Sequence, residues 1–460
     1  MTLQLPSLTV AKFGGTSVAD YDSMQRCADI VLADPRVRVV VVSASSGVTN
    51  LLVTLSRGTE PQQQQQILAQ IAAIMQRILV DLQRPAAVVA YIDQQLTQMA
   101  QLSEICAQAQ AQDRDRDALL VMGELCSSAL FAELLRQRGA QAAAFDVRQV
   151  LRTDSYYGQA EPQVAAIKRL THTHLQPQLE QQVVVTQGFV GADEQGHTTT
   201  LGRGGSDYSA ALLAEALEAN VLAIWTDVDG IYSCDPRLVR QAHPIPELSF
   251  DEAAEMATFG AKVLHPATIL PAVRSGCPVF VGKSRAPEQG GTWIRKQVNT
   301  LPGFRALSLR RKQTLMTVHS LNMLHARGFL AELFVILAKH RISVDLITTS
   351  EVSVALTLDD TGSNGDGASL ITSELLAELA PLCRVEITQN LALVAVLGNQ
   401  LASTPGVAKQ VFDVMAPYNI RMFCQGASPH NICFLVAEEE AQTVIEQLHQ
   451  HLLEPVSVGC

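Results

Sequence analysis

The chain contains no C-x-x-C pair. Its nine cysteines are scattered through 460 residues, at positions 27, 106, 126, 234, 277, 383, 424, 433 and 460. An odd, dispersed set excludes a disulfide framework and a cysteine-based zinc site. Positive charge is also scarce: 34 Lys and Arg against 45 Asp and Glu leave a formal charge of −11. No basic stripe is available to neutralise a phosphate backbone, so a general nucleic-acid role is excluded and any anion site must be local. No apolar run reaches about 18 residues, so no membrane span is expected. The N-terminus lacks a basic stretch followed by an apolar one, so no signal peptide is read there. The expectation is a reduced, cytoplasmic protein. Neither G-x-G-x-x-G nor G-x-x-x-x-G-K-[ST] occurs, which removes two familiar nucleotide loops.

What is present is core-forming sequence. Hydrophobic residues make up 47% and charged residues 17%, an ordinary globular balance in a chain long enough for roughly two to four domains. Leu8 to Phe13 reads as a strand. Met24, Cys27, Ala28, Val31 and Leu32 then recur at helical spacing. Val37 to Ser43 is β-branched and apolar on both faces, as a strand covered on both sides should be. This opening predicts a βαβ unit and a largely parallel sheet. Residues 60 to about 140 read as a helical insert, in which Q-Q-Q-Q-Q leads into the periodic I-L-A-Q-I-A-A-I-M-Q-R-I-L, and the charge run D-R-D-R-D (113–117) reads as a solvated helix start. Strands return at Val183–Thr186 and Val221–Trp225, separated by a polar, glycine-rich loop.

After about residue 295 the texture changes. Residues 312–390 read as βαββαβ, and from Leu391 the pattern starts again with a period of roughly 75–80 residues. The second copy lacks its last strand. The unassigned apolar run F-R-A-L-S-L-R-R (304–311) is predicted to supply it, which inserts the first module within the second. The expected domains are 1–298, 312–390, and 299–311 together with 391–460.

Four segments carry chemistry. In T-V-A-K-F-G-G-T-S, Lys12 ends an apolar strand and two glycines follow. Ligands of open α/β sheets bind at strand carboxyl ends, and glycines let amide N–H groups approach an anion. The segment reads either as a phosphate cradle or as a glycine turn with a snorkelling lysine. In T-T-T-L-G-R-G-G-S-D-Y-S (198–209), Arg203, Gly204, Gly205, Ser206 and Asp207 precede an apolar helix. An N-cap explains Ser206 or Asp207 alone, but not the arginine, glycines and threonines together. W-T-D-V-D-G-I-Y-S-C-D-P-R (225–237) reads either as ordinary turn chemistry or as a nucleotide site, with Tyr232 and Arg237 available for base, ribose or phosphates. In F-G-A-K-V-L-H-P (259–266), Lys262 reads as a phosphate contact or an ordinary surface lysine.

Together these four segments resemble the amino acid kinase family, and their order and wording match the aspartate kinases. The tail is similar to the paired ACT modules of that family. N-M-L-H-A-R-G-F-L-A-E-L-F with S-V-D-L-I-T-T-S-E-V-S-V-A-L-T-L-D resembles the lysine-sensitive, single-function branch. The resemblance covers essentially the whole chain. It implies an α/β protein: an N-terminal amino acid kinase domain, with a mostly parallel sheet covered by helices on both faces, and two C-terminal βαββαβ ACT modules. It implies ATP-dependent phosphorylation of L-aspartate to 4-phospho-L-aspartate, the first step of the aspartate-derived amino acid pathway, with feedback inhibition by L-lysine.

The same resemblance assigns roles. Lys12 stabilises the transferring phosphoryl group and Asp207 orients it, with Arg203 completing the centre. Gly14, Gly15 and Ser43 supply backbone or hydroxyl donors. Arg203 suits the α-carboxylate of aspartate, Glu124 its α-ammonium, and Thr49, Thr200 and Ser206 complete the pocket. Thr226, Asp227, Tyr232, Arg237 and Lys262 join Lys12 and the two glycines on the ATP side. Mg²⁺ is expected between phosphate oxygens, without a dedicated protein metal site. For lysine, Asp345 and Glu351 answer its two ammonium groups, with Thr349 and Ser350 beside them. Met323, His325, Phe329 and Leu330 begin the facing loop and helix. Pairing of first modules across a two-fold axis predicts a homodimer, or a tetramer with effector. Two rival readings are another amino acid kinase, of glutamate or carbamate type, and a non-catalytic lysine-sensing protein. The doubled ACT tail argues against the first and the full set of charged site residues against the second. With 460 residues ending after the second module, a bifunctional fusion with homoserine dehydrogenase is not expected.

Overall fold

The structure, a computed structural model, describes residues 7–259, 264–298, 303–320, 323, 327–359 and 371–454. The chain divides into two compact units. The first comprises Met1–Ile231, Pro244–Ala257 and Lys262–Val298, and the second Tyr232–His243, Thr258–Ala261 and Asn299–Cys460.

The first unit is built on an eight-stranded sheet. Its strands are β1 (Thr9–Phe13), β2 (Val37–Val42), β3 (Ala142–Phe145), β4 (Val183–Gln187), β7 (Val221–Thr226), β8 (Glu247–Ser249), β9 (Val279–Lys283) and β10 (Gly291–Arg295); a separate hairpin pairs β5 (Val190–Ala192) with β6 (Thr198–Thr200). The order is β3-β4-β2-β1-β7-β9-β10-β8, parallel throughout except where β10 meets β9. All five residues of β1 are buried, as are Val37 and Val39–Val42 of β2, which explains the unbroken apolar wording of both strands. The helix Tyr21–Ala33 is capped by Asp20, whose carboxylate accepts from Ser23 N, and it buries Met24, Cys27, Ala28 and Val31. Leu32 departs from the expected face: it is 39% exposed, one position past the buried stripe.

The helical insert consists of Pro61–Asp81, Ala86–Cys106 and Asp113–Leu120, followed by the core helix Met122–Gln137. The glutamine run forms the solvated first turns of Pro61–Asp81, which buries Ile67, Ile71, Met75, Ile78 and Leu79 further on. The D-R-D-R-D run does start a helix, through a capping box between Gln112 and Asp115. Its last member, however, is not solvated: Asp117 is 2% exposed. Among the described residues one stretch, Asp113–Gln137, is long and apolar enough to cross a membrane by length and composition. It is interrupted only at Val121, and 78% of its most apolar window is buried inside the protein, as a core helix is. The eight described cysteines are free, and burial pushes the thiols of Cys126, Cys234 and Cys277 up to about 12.

The second unit is one antiparallel sheet of six strands, in the order β12-β13-β11-β14-β16-β15. These are β11 (Phe304–His319), β12 (Ile347–Thr349), β13 (Ser353–Asp359), β14 (Arg384–Gly398), β15 (Met422–Gln425) and β16 (Asn431–Ala437). Two long strands run the length of it. The first half of β11 pairs with the second half of β14, from Phe304–Gly398 to Arg310–Leu393; the second half pairs with β13 and with the first half of β14. The register shifts between Arg310 and Gln313, where Lys312 takes φ 56°, and Asn390 on β14 takes φ 59°. Two separate cores result. One gathers Met316, Val318 and Val354 around the helices Phe329–Lys339 and Ser373–Leu379. The other gathers Leu307, Val394 and Phe434 around Val407–Met415 and Ala441–Leu452, and it also takes Cys234 and Val239 from the 232–243 segment.

Phe434, 1% exposed, sits centrally in that second core. Phe434→Ala is expected to cost about 3–5 kcal/mol of stability. Chemical unfolding followed by circular dichroism checks it, and a loss below about 1 kcal/mol would show that the core refills the space.

Candidate active site

β1 lies between β2 and β7, so the chain winds away from it in both directions. The carboxyl ends of β1 and β7 therefore flank the topological switch point, where open α/β sheets bind ligands. Lys12 sits at that end of β1, in register with Val41 and Ile224 and only 8% exposed. A buried ammonium needs a partner. It has one: Lys12 Nζ lies 2.6 Å from Asp207 Oδ1. Asp207 is in the first turn of the helix Gly205–Ala216, whose N-terminal dipole favours its negative charge.

Beyond Phe13 the backbone is held tightly. Gly14 N donates to Trp225 O at 3.2 Å, and Ser46 N donates to Gly15 O at 3.1 Å. A Cβ at Gly15 would lie 2.8 Å from Ala44 O, so only glycine lets the turn after β1 meet the turn after β2. Ser17 Oγ and Ser284 Oγ are 2.7 Å apart, and Ser284 N donates to Thr226 O, which ties the β1 turn to the ends of β7 and β9.

The turn after β2 also receives the core helix. Ser127 Oγ donates to Ser43 O at 2.7 Å, and Ala44 N donates to the Glu124 carboxylate. Gly123 permits this contact, since a Cβ there would lie 2.7 Å from Ala44 Cβ. Glu124 is 3% exposed, and its Oε2 has no hydrogen-bond partner among the described residues; neither has the buried Ser45 Oγ. Burial pushes the Glu124 carboxyl up to about 8. A buried acid with spare acceptor capacity is what a cationic ligand group would meet. Thr49 is exposed on the first turn of the next helix, Val48–Ser56.

The glycine-rich loop runs from β6 into the helix Gly205–Ala216. Arg203 is exposed and Ser206 partly so. The imidazolium of His265 is held below its usual pKa by burial and then by Arg203, with Asp207 acting in the opposite sense. Thr200 is fully buried, with its hydroxyl donated to Asp117 Oδ1 at 3.0 Å, so we read it as a support of the loop. On the other side of the switch point, Thr226 Oγ1 donates to the exposed Asp227, and Asp229 pairs with Lys283 at 2.8 Å.

The structure thus brings Lys12, Gly14, Gly15, Ser43, Glu124, Arg203, Ser206, Asp207, Thr226 and Asp227 to one end of the first unit's sheet and its bordering loops. Tyr232 and Arg237 belong to the second unit, where Arg237 pairs with Asp235 at 2.6 Å on the surface. Lys262 and His325 lie outside the described residues. In the second unit, Met323 and Phe329 pack against the first core, and Leu330 is exposed. Asp345 pairs with Arg310 at 3.0 Å, and Thr349, Ser350 and Glu351 stand exposed by the Ser350–Ser353 turn. Sequence reasoning passed over Asp117 and His265. The signal for Asp117 was its spacing, two helical turns before Glu124 and so on the same face.

A mostly parallel α/β sheet with a buried lysine at its switch point, beside glycine turns and a helix N-terminus, is the arrangement of an α/β ligand-binding unit suited to anionic groups. The model of the amino acid kinase family matches residues 7–283, and that of the ACT domain residues 394–452. The chain belongs to the amino acid kinase family. It is 57% identical to the lysine-sensitive aspartokinase 3 of Escherichia coli over 98% of this chain and all of that one. It is also similar to two crystal structures of E. coli aspartokinase III, each covering 97% of this chain and 100% of the other at 57% identity. One, with aspartate and ADP in the R-state, gives a TM-score of 0.89; the other, with lysine and aspartate in the T-state, gives 0.83.

The Glu124 shift has a testable sign. Its folded pKa, about 8, lies above the ordinary 4.5, so the folded protein holds the proton that the unfolded chain has released. Stability should therefore fall as pH rises from about 4.5 towards 8. Glu124→Gln should flatten that slope in unfolding experiments across this range; an unchanged slope would mean that Glu124 ionises normally.

Proposed function

We propose that this chain is an aspartate kinase. It transfers the γ-phosphoryl group of ATP to the side-chain carboxylate of L-aspartate, giving 4-phospho-L-aspartate and ADP, and L-lysine inhibits it. The observation that carries the reading is the buried Lys12–Asp207 pair at the carboxyl end of β1, beside two glycine-built turns.

The acceptor is already a nucleophilic carboxylate, so no base has to activate it. The obstacle is repulsion between two anions, and the residues that matter are those that position and neutralise. Lys12 places a positive charge where the phosphoryl group passes. Asp207 would cancel that charge if it stood alone, but the amides of its own helix turn offset it. Gly14 and Gly15 let backbone donors reach the phosphates. Arg203 takes the α-carboxylate as a fork. Glu124 ionises when the α-ammonium arrives to pair with it, and Ser43, Thr49 and Ser206 complete the polar lining. Thr226 and Asp227 border the nucleotide side. Among the described residues no three His, Cys, Asp or Glu side chains converge on a point. Mg²⁺, which keeps several of its waters, would supply further charge neutralisation at the phosphates when bound.

The second unit is assigned to regulation, with modules at 312–390 and at 299–311 plus 391–460. Asp345 and Glu351 face the two ammonium groups of lysine, and the amides starting Phe329–Lys339 face its carboxylate. β12 is an edge strand with all three residues exposed, and Leu330, Phe334 and Val335 (68%) are exposed on the helix that precedes it in the chain. Covering that surface with a second copy supports a homodimer. Lysine inhibits through higher affinity for an inactive arrangement. The proposed location is the cytoplasm, a reducing compartment that suits the eight free cysteines among the described residues.

A hydroxamate assay for acyl phosphate formed from aspartate and ATP, run against a panel of other carboxylate acceptors, tests the reaction. Lys12→Ala should lower kcat by about 10²–10³-fold, the usual loss for a charge-stabilising donor, with an unchanged circular dichroism spectrum. Near-normal turnover would remove Lys12 from the mechanism. Asp345→Ala should keep most activity while raising the lysine concentration for half-inhibition by about tenfold or more, the worth of a charged hydrogen bond. Unaltered inhibition would overturn the lysine-site assignment.

A further inference from the structure

Asp117 makes no contact assigned to substrate, yet it joins two parts of the site. Its buried carboxylate collects three donors. Gly158 N and Thr200 N reach Oδ2 at 2.9 and 2.8 Å, and Thr200 Oγ1 reaches Oδ1 at 3.0 Å. Thr200 is also held by its carbonyl, which accepts from Ala160 N at 2.8 Å, and the loop then closes with Gly205 N donating to Gly202 O. Gly158 O lies 3.3 Å from where a Cβ of Gly202 would be, so the 156–159 turn backs the loop that carries Arg203. Arg203 itself is exposed and gains no placement from burial. Its geometry depends on where the backbone of 200–205 is pinned. On its other side, Asp117 stands two helical turns before Glu124, across a helical stretch interrupted only at Val121.

We propose that Asp117 is a positioning residue of the aspartate pocket: it fixes the distance between Glu124, which takes the α-ammonium, and Arg203, which takes the α-carboxylate. This rests on the aspartate reading given above. A carboxylate suits the task because it accepts every bond offered. Asparagine has the same shape but no charge and only one acceptor oxygen: with that oxygen kept on the two amides, its N–H₂ faces Thr200 Oγ1, whose own O–H loses this acceptor. A bidentate clamp tolerates displacements of only about 0.5 Å, so loosening the loop should weaken aspartate binding before it affects ATP.

The test is steady-state kinetics on the full-length protein. Asp117→Asn should raise KM for aspartate roughly tenfold or more, as expected for losing hydrogen bonds to a charged group, while KM for ATP stays within about twofold. In an Arg203→Ala background the same change should add less than about threefold, because the clamp it positions is already gone. Thr200→Val removes one of the three bonds and should give a smaller rise in the same direction, which keeps the test decisive if Asp117→Asn does not fold. Asp117→Glu, which keeps the charge, should recover part of the affinity. Unchanged KM for aspartate, equal effects on both substrates, or full additivity with Arg203→Ala would overturn the proposal. If the unaltered protein does not phosphorylate aspartate, the parent reading fails instead, and the two failures are distinct.

Discussion

The catalytic unit is organised around one costly interaction, an ammonium group buried at the end of its central strand. Lys12 is almost fully shielded from water, and Asp207 meets it at 2.6 Å. Burying either charge alone would be strongly unfavourable, and even the pair gains little unless its remaining field is used. The surroundings are arranged to use it. Asp207 stands where a helix N-terminus stabilises a negative charge, so its attraction for the lysine does not exhaust the positive potential. The strand beneath is apolar on both faces and cannot shift without exposing that surface. The turns above are built from glycine because backbone, not side chain, has to border the ammonium.

Around that centre the protein places polar groups with unused capacity. Glu124 is held by Ala44 N on one side and has no hydrogen-bond partner at Oε2 among the described residues, and burial pushes its carboxyl up to about 8. Such a group is a poor contributor to stability and a good receptor for an ammonium. Asp117 is the opposite case. It too is pushed up, to about 6, by burial, yet its two oxygens are fully engaged by Gly158 and Thr200. One acid keeps an oxygen unbonded among the described residues; the other has both oxygens engaged by backbone and hydroxyl donors.

The regulatory unit solves a different problem. Two small modules each bury their own core, but they share β11 and β14, whose halves serve one module and then the other. The paired break at Lys312 and Asn390 separates the two sheet halves without ending either strand. The two modules are thus joined by two continuous strands, and an effector acts on such a protein only through a difference in affinity between two arrangements.

Much of this was legible in the order of residues. The alternation of strands and helices, the apolar wording of β1 and β2, the lysine before two glycines and the repeat in the tail all follow from local rules of periodicity and turn chemistry, which act within a few residues. So does the helical nature of the glutamine-rich insert. What local rules could not supply is burial, because burial depends on which distant segment arrives. D-R-D-R-D reads as a solvated helix start, and four of its five residues are consistent with that; only the arrival of Thr200 and Gly158 turns Asp117 into a buried hub. Leu32 reads as core and is left at the surface for the same reason. Sequence alone determined which residues are able to carry charge, cap a helix or approach a phosphate. The tertiary structure alone decided which charges face each other, because an ion pair between positions 12 and 207 is set by the packing of one helix against one strand and by nothing near either residue in the chain.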